Sequence, residues 1–370
     1  MKKLALVFIF ICLINFTGCA PKAKINAVII DGNIIDNNYN NYLMGGNLCR
    51  INEKIYCNAH YLDGNGIFEI SENSAKKIYK YDQGGTTYIR AMYCKDDNIY
   101  KFHQKRLAFE LHKFDFNKNQ YALYKELPHL EDRTVCMSGD GLIFYDHNGN
   151  IKIQKEDEIE VLLKNDEPPF IPFEGFYFYE NKIVYYAIRH DFISDDNHIN
   201  YITFYVYDLL TKQTVTSPAI KIDSNYVYFL VYKDNIYFHD FNAVNGGGRQ
   251  VNGALYSLNI NGNENEKILL SGEDLVFNKN VSASYMSKLN VYNDKLYVSI
   301  NSLYEIDLKT DSFKILYDKD YVSEIYITDD KWIYFHCNYR SLSRITQDGE
   351  TIENIIITPP DTSDKAEQGN

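Results

Sequence analysis

The chain has 370 residues and a formal net charge of −12, and hydrophobic residues make up 45% of it. A chain of this length accommodates two average domains or one large all-β domain, with ample side chains for a core. The acidic balance excludes nucleic acid as an expected partner, because a phosphate backbone is bound by clustered lysine and arginine.

The first 18 residues are organised like an export signal. Two lysines follow the initial methionine, residues 4–14 form an unbroken apolar stretch, and Thr17-Gly18 supplies small residues directly before Cys19. The apolar stretch is too short to span a bilayer, which takes about 20 residues of helix. Loss of the two lysines with this leader lowers the net charge of the mature chain from −12 to −14.

The segment around Cys19 resembles a bacterial lipoprotein signal peptide, although Phe16 stands where that family prefers leucine. The resemblance implies cleavage after residue 18, diacylglycerol on the Cys19 thiol, and a mature extracytoplasmic protein that is anchored to the cell membrane. Two acyl chains hold a protein firmly, so Cys19 alone would suffice as the tether. An ordinary secretory signal or a short membrane anchor is the alternative interpretation.

The mature chain divides into three parts. Residues 19–45 are rich in asparagine and are predicted to form the lipidated N-terminus and a linker. Residues 46–358 carry a repeat, and residues 359–370 form a polar tail. Residues 27–30, an apolar run within the linker, could complete a repeat unit rather than belong to the linker.

The repeat consists of an apolar-aromatic step that follows a polar turn, at intervals of 37 to 60 residues. The seven steps are Ile55-Tyr56, Ile99-Tyr100, Ile143-Phe144, Ile183-Val184-Tyr185, Ile236-Tyr237, Leu296-Tyr297 and Ile333-Tyr334. Each unit shows the period-2 alternation of short strands, and no helical period is sustained in the mature region. Four short strands cannot bury both faces of their sheet alone, so the units are expected to stack radially.

The sequence therefore predicts an all-β protein with a single β-propeller. Seven four-stranded blades fit the repeat best, with six or eight as the alternatives. The blades are assigned to residues 46–80, 90–127, 134–164, 174–216, 226–270, 285–317 and 321–357.

The segment from 331 to 350, KWIYFHCNYRSLSRITQDGE, resembles the YWTD class of propellers found in low-density-lipoprotein receptors. In that class an aromatic strand is followed by a third strand and an Asp-Gly turn, and residues 234–262 repeat this form loosely. The chain is similar to uncharacterised bacterial propellers related to that class, which are often lipoproteins. The resemblance covers residues 45–357, and its motifs imply structure rather than a catalytic residue.

Two connections, over residues 189–200 and 239–253, are longer than their counterparts and are predicted as irregular loops of the fourth and fifth blades. Long loops on a rigid scaffold are where binding residues concentrate. Their histidines, acids and arginine could bind a polar ligand such as a sugar, whereas solvated loops without a ligand are the alternative. The candidate ligand-binding residues are His190, Asp191, Asp195, Asp196, His198, His239, Asp240 and Arg249.

The sequence predicts no cofactor and no metal site. Asp115, Asn117, Asn119 and Glu126 match an EF-hand spacing, but Gln120 occupies the position where the sharp turn of that loop requires glycine. Histidines recur near the ends of second strands and could converge in a ring, although a surface position is the commoner case. These histidines are His60, His103, His190, His239 and His336.

Five cysteines remain once Cys12 leaves with the leader and Cys19 is acylated. They include no CxxC pair and no zinc-site spacing. Cys49 and Cys57 could face each other across a hairpin and oxidise, with unpaired thiols buried in strands as the alternative.

The leading functional interpretation is a membrane-anchored extracytoplasmic lipoprotein. Its propeller would act as a binding or scaffold module for a protein, cell-wall or carbohydrate partner. The alternative is an extracellular propeller hydrolase or lyase that acts on a glycan, which would require two carboxylates within about 10 Å of each other. Enzymatic activity ranks second because the sequence contains no recognisable Ser/His/Asp, Cys/His or nucleophile-elbow pattern.

Overall fold

Regular structure in the computed structural model is almost entirely antiparallel β-sheet, so the all-β prediction is confirmed. The predicted leader, Cys19, the linker and the polar tail lie outside the described residues. Nothing helical in the described parts is long and apolar enough to span a membrane. The structure describes residues 48–59, 66–80, 92–95, 97–105, 108–127, 136–138, 141–145, 150–155, 158–164, 176–194, 197–224, 227–243, 251–261, 266–275, 288–328, 331–337 and 341–357.

The first three units each contribute four strands that pair consecutively and antiparallel. The first consists of β1 (Leu48–Ile51), β2 (Lys54–Ala59), β3 (Gly66–Ser71) and β4 (Ser74–Lys80). The second consists of β5 (Met92–Lys95), β6 (Asn98–Lys105), β7 (Ala108–Asp115) and β8 (Gln120–Leu127). The third consists of β9 (Cys136–Ser138), β10 (Gly141–Tyr145), β11 (Ile151–Lys155) and β12 (Glu158–Leu163).

The fourth and fifth units carry additions to this plan. The fourth consists of β13 (Tyr177–Tyr179), β14 (Lys182–Ser194), β15 (Asn197–Asp208) and β16 (Thr214–Thr216), with β17 (Ile220–Ile222) also paired to β15. The fifth contains β18 (Tyr228–Tyr232), β19 (Asn235–His239), a two-stranded ribbon of β20 (Asn242–Ala243) and β21 (Val251–Asn252), then β22 (Ala254–Asn259) and β23 (Lys267–Ser271). A short 3-10 turn over Gly272–Asp274 follows β23.

The sixth and seventh units share one six-stranded sheet. Its strands are β24 (Lys288–Tyr292), β25 (Lys295–Asp307), β26 (Phe313–Ile327), β27 (Trp332–Cys337), β28 (Ser341–Thr346) and β29 (Ile352–Asn354). A straight strand as long as β25 would span about 40 Å. The amide of Leu308 nevertheless donates to the carbonyl of Asp294 at 2.9 Å, so β25 folds back and supplies the second and third strands of the sixth unit.

The predicted border between the sixth and seventh blades falls inside β26, which is continuous. Its first half pairs with β25 and its second half pairs with β27. The chain therefore passes from the last strand of one unit to the first strand of the next while remaining extended.

Tight turns explain the polar residues that precede each apolar-aromatic step. In three units both residues of a two-residue turn have positive φ, which is the type I′ geometry that suits a twisted hairpin. The pairs are Asn52 and Glu53, Lys233 and Asp234, and Asn293 and Asp294, with φ between 46° and 68°. The second strand begins directly after each turn, as the repeat predicts.

Tyrosine hydroxyls join the first strand of one unit to the first turn of the next. The Tyr232 hydroxyl donates to Asp294 Oδ1 at 2.9 Å and accepts from the Asp294 amide at 3.3 Å. The Tyr179 hydroxyl accepts from the Asp234 amide at 3.3 Å in the same way. Lys233 also pairs with Asp294. The repeated tyrosine before the turn therefore fixes the neighbouring unit as well as filling the core.

We predict that Tyr232→Phe lowers the melting temperature by about 2 °C or more, because Asp294 loses a hydrogen bond that spans two units. Tyr292→Phe is the matched control, since Tyr292 ends the equivalent strand and its hydroxyl has no hydrogen bond in the described part of the chain. Differential scanning calorimetry of the two variants measures the difference. Equal melting temperatures would contradict the proposed role of the hydroxyl.

A disulfide joins the first two units and corrects the predicted cysteine pairing. Cys49 in β1 is bonded to Cys94 in β5, with a Cα–Cα distance of 6.2 Å. Cys49 lies opposite Tyr56 in the hairpin, whereas Cys57 lies opposite Leu48. Successive side chains of a strand point to opposite faces, so Cys49 and Cys57 cannot meet. Cys57 is a buried free thiol.

The first unit packs against the last. One hydrophobic cluster contains residues of β1 to β4 together with Tyr326, Trp332, Tyr334 and Leu342 of the seventh unit. The Arg50 guanidinium donates to the carbonyl of Thr328 at 3.0 Å. The short strand β30 (Ile356–Ile357), which the repeat assigns to the seventh blade, pairs in parallel with β4 of the first unit. Both ends of the described chain therefore meet in one core.

We predict that Ile355→Ala lowers the free energy of unfolding by about 2–4 kcal/mol, because Ile355 is buried in this shared cluster. Ile356→Ala is the matched control, since the next side chain is 62% exposed and its truncation should change the free energy by less than about 0.5 kcal/mol. Urea unfolding gives both values. Two equally small changes would argue against a shared core.

Candidate functional site

The first predicted loop is a β-hairpin rather than an irregular loop. Strands β14 and β15 remain paired out to Ser194 and Asn197, with one register shift after Phe192. Cross-strand contacts continue along it, because the Arg189 guanidinium lies 4.9 Å from the ring centroid of Tyr201. Arg189, His190 and Asp191 are exposed on this regular ribbon, whereas Asn200 is buried.

Of the five candidate residues in this hairpin, two lie in β14, one lies in β15 and two lie outside the described residues. His190 and Asp191 are exposed at the end of β14, and Asp191 pairs with Arg189 at 3.0 Å. His198 lies in β15, opposite Phe192. Asp195 and Asp196 lie outside the described residues.

The second predicted loop contains the β20–β21 ribbon and begins with two buried candidates, His239 and Asp240. The His239 ring stacks against the rings of Tyr228 and Phe241, with centroid distances of 5.6 Å and 5.4 Å. Arg249 lies outside the described residues.

Asp240 is a structural carboxylate. Its Oδ2 accepts from the Asp223 amide at 2.6 Å and its Oδ1 accepts from the Ala254 amide at 2.7 Å. Gly253, at φ 92°, lies against this carboxylate, and a Cβ there would lie 2.6 Å from Asp240 Oδ1. Asp240 therefore holds the entry and exit of the ribbon together, at a point where only glycine fits.

The two predicted clusters adjoin through residues 223 and 224. His190 Nδ1 lies 2.7 Å from Asn200 Oδ1, and Asn200 Nδ2 donates to the carbonyl of Ser224 at 3.3 Å. The next link is the Asp223 amide, which donates to Asp240. A hydrogen-bonded path thus runs from the fourth unit to the fifth, and it includes two of the predicted ligand-binding residues, His190 and Asp240.

Burial raises the pKa of Asp240 to about 6, with a smaller contribution from the Asp223 carboxylate, while the backbone donors act in the opposite direction. The unfolded chain releases this proton near pH 4. The folded state therefore binds the extra proton between about pH 4 and pH 6.

We predict that the free energy of unfolding falls as the pH rises from about 4 to about 6. Asp240 should contribute on the order of 3 kcal/mol to this fall, from about two pKa units at roughly 1.4 kcal/mol each. The contribution should be absent in Asp240→Asn, which cannot titrate. Urea unfolding of both proteins across this pH range measures it, and parallel curves would show that Asp240 has an ordinary pKa in the folded state.

A second group of polar residues, which the sequence did not single out as a site, lies on the first strands of the last three units. We call Tyr228, Lys288 and Glu324 the first-strand row. They occupy corresponding positions, opposite His239, Ser299 and His336 respectively. All three are half-buried.

One direct contact and one hydrogen bond between neighbouring residues place the members of the first-strand row on adjacent units. Lys288 Nζ lies 4.2 Å from the ring centroid of Tyr228. Asn290, two residues after Lys288, donates from Nδ2 to the carbonyl of Ile325, which follows Glu324, at 3.2 Å. The row therefore crosses three adjacent units at one level.

Glu324 and His336 form a carboxylate–histidine pair at one end of the row. Glu324 Oε2 lies 2.9 Å from His336 Nδ1 and also accepts a hydrogen bond from the Tyr326 hydroxyl. The nearby Cys57 thiol is fully enclosed, and burial raises its pKa to about 12, so it is a poor nucleophile.

The predicted histidines do not gather into a metal site in the described residues. No group of three or more His, Cys, Asp or Glu there could hold a metal ion. His190, His239 and His336 each contact different neighbours. His103 lies in β6, and His60 lies outside the described residues.

The EF-hand-like spacing belongs to a strand-connecting turn. Asp115 Oδ1 accepts from the amides of Asn117 and Lys118, just as Asp307 Oδ1 accepts from those of Lys309 and Thr310. These hydrogen bonds lower the pKa of Asp307, and similar bonds act on Asp115. Both carboxylates cap turns that connect strands.

Comparison with known proteins shows the fold and leaves the family open. No protein-family model and no curated protein matches the chain. A structure from a study of two prolyl endopeptidases matches with a TM-score of 0.51 at 9% identity, over 85% of this chain and 48% of that one. Oligogalacturonate lyase in complex with manganese matches with a TM-score of 0.45 at 12% identity, over 70% of this chain and 73% of that one. Tricorn protease matches with a TM-score of 0.46 at 12% identity, over 85% of this chain and 34% of that one.

The chain spans about half of the matched prolyl endopeptidase and about a third of the tricorn protease. At identities this low the likeness shows the fold alone, which is β-propeller-like.

Proposed function

We propose that this protein is an extracytoplasmic lipoprotein, anchored through diacylglycerol on Cys19, whose seven units close into one propeller that binds a partner. The partner is a protein, a cell-wall component or a carbohydrate. The leader and Cys19 motivate the anchor, and the YWTD-like repeat motivates the assignment to bacterial lipoprotein propellers.

Ring closure is supported by the contacts between the first and last units. Each sheet has two faces, and the terminal sheets of an open stack would each leave one face in water. Here Cys57 and Phe68 of the first unit share a core with Tyr334 of the seventh, and β30 extends the edge of β4.

Export is supported by the Cys49–Cys94 disulfide, which joins two units. Structural disulfides persist in oxidising compartments and are rare in the cytosol, where thiols are kept reduced. An extracytoplasmic location and this disulfide are therefore consistent with each other.

The observation that carries the binding function is the first-strand row. Its three polar side chains are half-buried on adjacent strands and combine an ammonium, an aromatic ring and a carboxylate. Binding sites are commonly concave regions where a few such groups converge. Asp240 and Asn200 of the predicted loops fit this role less well, because their side chains bond within the protein.

A glycan hydrolase or lyase is the second candidate. The observation that favours it is the closeness of Asp223 and Asp240, together with the raised pKa of Asp240. Asp240 is only 1% exposed and both of its oxygens accept backbone hydrogen bonds, so it is poorly placed to exchange a proton with a substrate.

We predict that Cys19→Ala moves the processed protein from the membrane fraction to the soluble extracytoplasmic fraction and abolishes incorporation of labelled fatty acid. Cys57→Ala is the matched control and should remain lipidated, because Cys57 is an enclosed thiol of the folded domain. Detergent partitioning and fatty-acid labelling measure both effects.

Unchanged labelling of Cys19→Ala would contradict the lipid anchor. Export is followed separately through the Cys49–Cys94 disulfide, since an exported but unlipidated protein should still form it.

A further inference from the structure

His336 has one ring nitrogen engaged and one available. A carboxylate can only accept, so the 2.9 Å contact with Glu324 Oε2 requires the proton on Nδ1. In the neutral imidazole this leaves a lone pair on Nε2. Within the described residues Nε2 has no hydrogen-bond partner, and it is not among the unpaired polar atoms that the protein encloses.

Nε2 therefore reaches the surface, although the side chain as a whole is only 7% exposed. An acceptor that is held in place and left open at the edge of a core is what a ligand-binding site requires. Glu324 fixes the tautomer that presents this acceptor, and the Tyr326 hydroxyl holds Glu324.

We infer that His336 Nε2 accepts a hydrogen bond from a neutral saccharide bound along the first-strand row. This inference rests on the binding function proposed above. A sugar hydroxyl both donates and accepts, so a saccharide can donate to His336 Nε2 and accept from Lys288 Nζ.

Charge favours a neutral saccharide over other ligands. The first-strand row contains one ammonium and one carboxylate, so the formal charges of Lys288 and Glu324 cancel. The whole chain carries a net charge of −12, which repels polyanions such as polyuronates.

Glu324 is a positioning residue in this account. It acts through His336, by keeping the proton on Nδ1. Glutamine at position 324 could still accept from Nδ1 through its amide oxygen, whereas leucine could not.

The test uses the full mature protein on an array that carries neutral oligomers of glucose, mannose and N-acetylglucosamine beside polyuronates. Calorimetric titration then gives Kd for the saccharides that bind. We expect His336→Phe and Glu324→Leu to weaken binding of a neutral saccharide about tenfold or more, and Glu324→Gln to remain within about threefold of the wild type. His112→Phe is the matched control and should bind normally, because His112 Nε2 already contacts Glu110 at 2.9 Å in the second unit.

Nitrogen-15 NMR of the histidine rings gives a readout that does not depend on any ligand. The wild type and Glu324→Gln should show the His336 proton on Nδ1, and Glu324→Leu should lose this preference. Melting temperatures of all variants confirm that they are folded.

Three results would overturn the inference: binding of polyuronates alone, binding of no saccharide on the array, or full affinity in His336→Phe. The first and third would leave the proposed binding function intact. Binding of no saccharide would leave the proposed binding function intact if the protein still bound a protein partner. Lipid anchoring is measured independently through Cys19.

Discussion

The structure depends on burying both faces of each four-stranded sheet against its neighbours. Alternating strands present apolar side chains on both sides, as in the first unit, where Cys49 packs towards the second unit and Cys57 towards the seventh. No single unit can satisfy this requirement alone. The contacts between units therefore decide the stability of the whole chain.

Tyrosine is suited to these contacts because it combines a large apolar ring with a hydroxyl at its tip. The chain contains 33 tyrosines. Tyr232 reaches the turn of the next unit, and the Tyr186 hydroxyl donates to the carbonyl of Val227 in the next unit at 3.1 Å. Each such bond satisfies a polar group at the edge of a core and also sets the position of the neighbouring sheet.

The same packing determines where a ligand can bind. Side chains that hold units together, such as Asp240 and Asn200, have little capacity left for a partner. The members of the first-strand row are half-buried on the first strands of the last three units, opposite residues of the second strands. The rigid part of the fold, rather than its long connections, therefore provides the best-defined candidate site.

Local patterns allowed the strands and turns to be predicted from the sequence. The Ile-Tyr steps and polar turns are encoded within a few residues, so β2, β19 and β27 begin where the repeat places them. The coarse all-β, propeller-like fold follows from this repetition.

Features that depend on contacts between distant residues could not be predicted. The partner of Cys49 lies in another unit, 45 residues away, and only the strand register shows that Cys57 points elsewhere. The charged residues around His190 indicated a loop, because Arg189, His190 and Asp191 are all exposed and lack the alternation of a half-buried strand. The pairing of His336 with Glu324 requires knowledge of which strands are neighbours.

The central claim is that the first and last units share one core, and the single tryptophan of the chain can test it. Trp332 is 6% exposed and belongs to the cluster that joins these units. Its fluorescence reports this interface, whereas circular dichroism reports all of the sheets. During urea unfolding the two signals should change together, with one midpoint, because loss of the core that the first and last units share exposes the sheets that it covers. A fluorescence transition at clearly lower urea than the dichroism transition would show that the ends separate while the sheets persist, and would contradict the account.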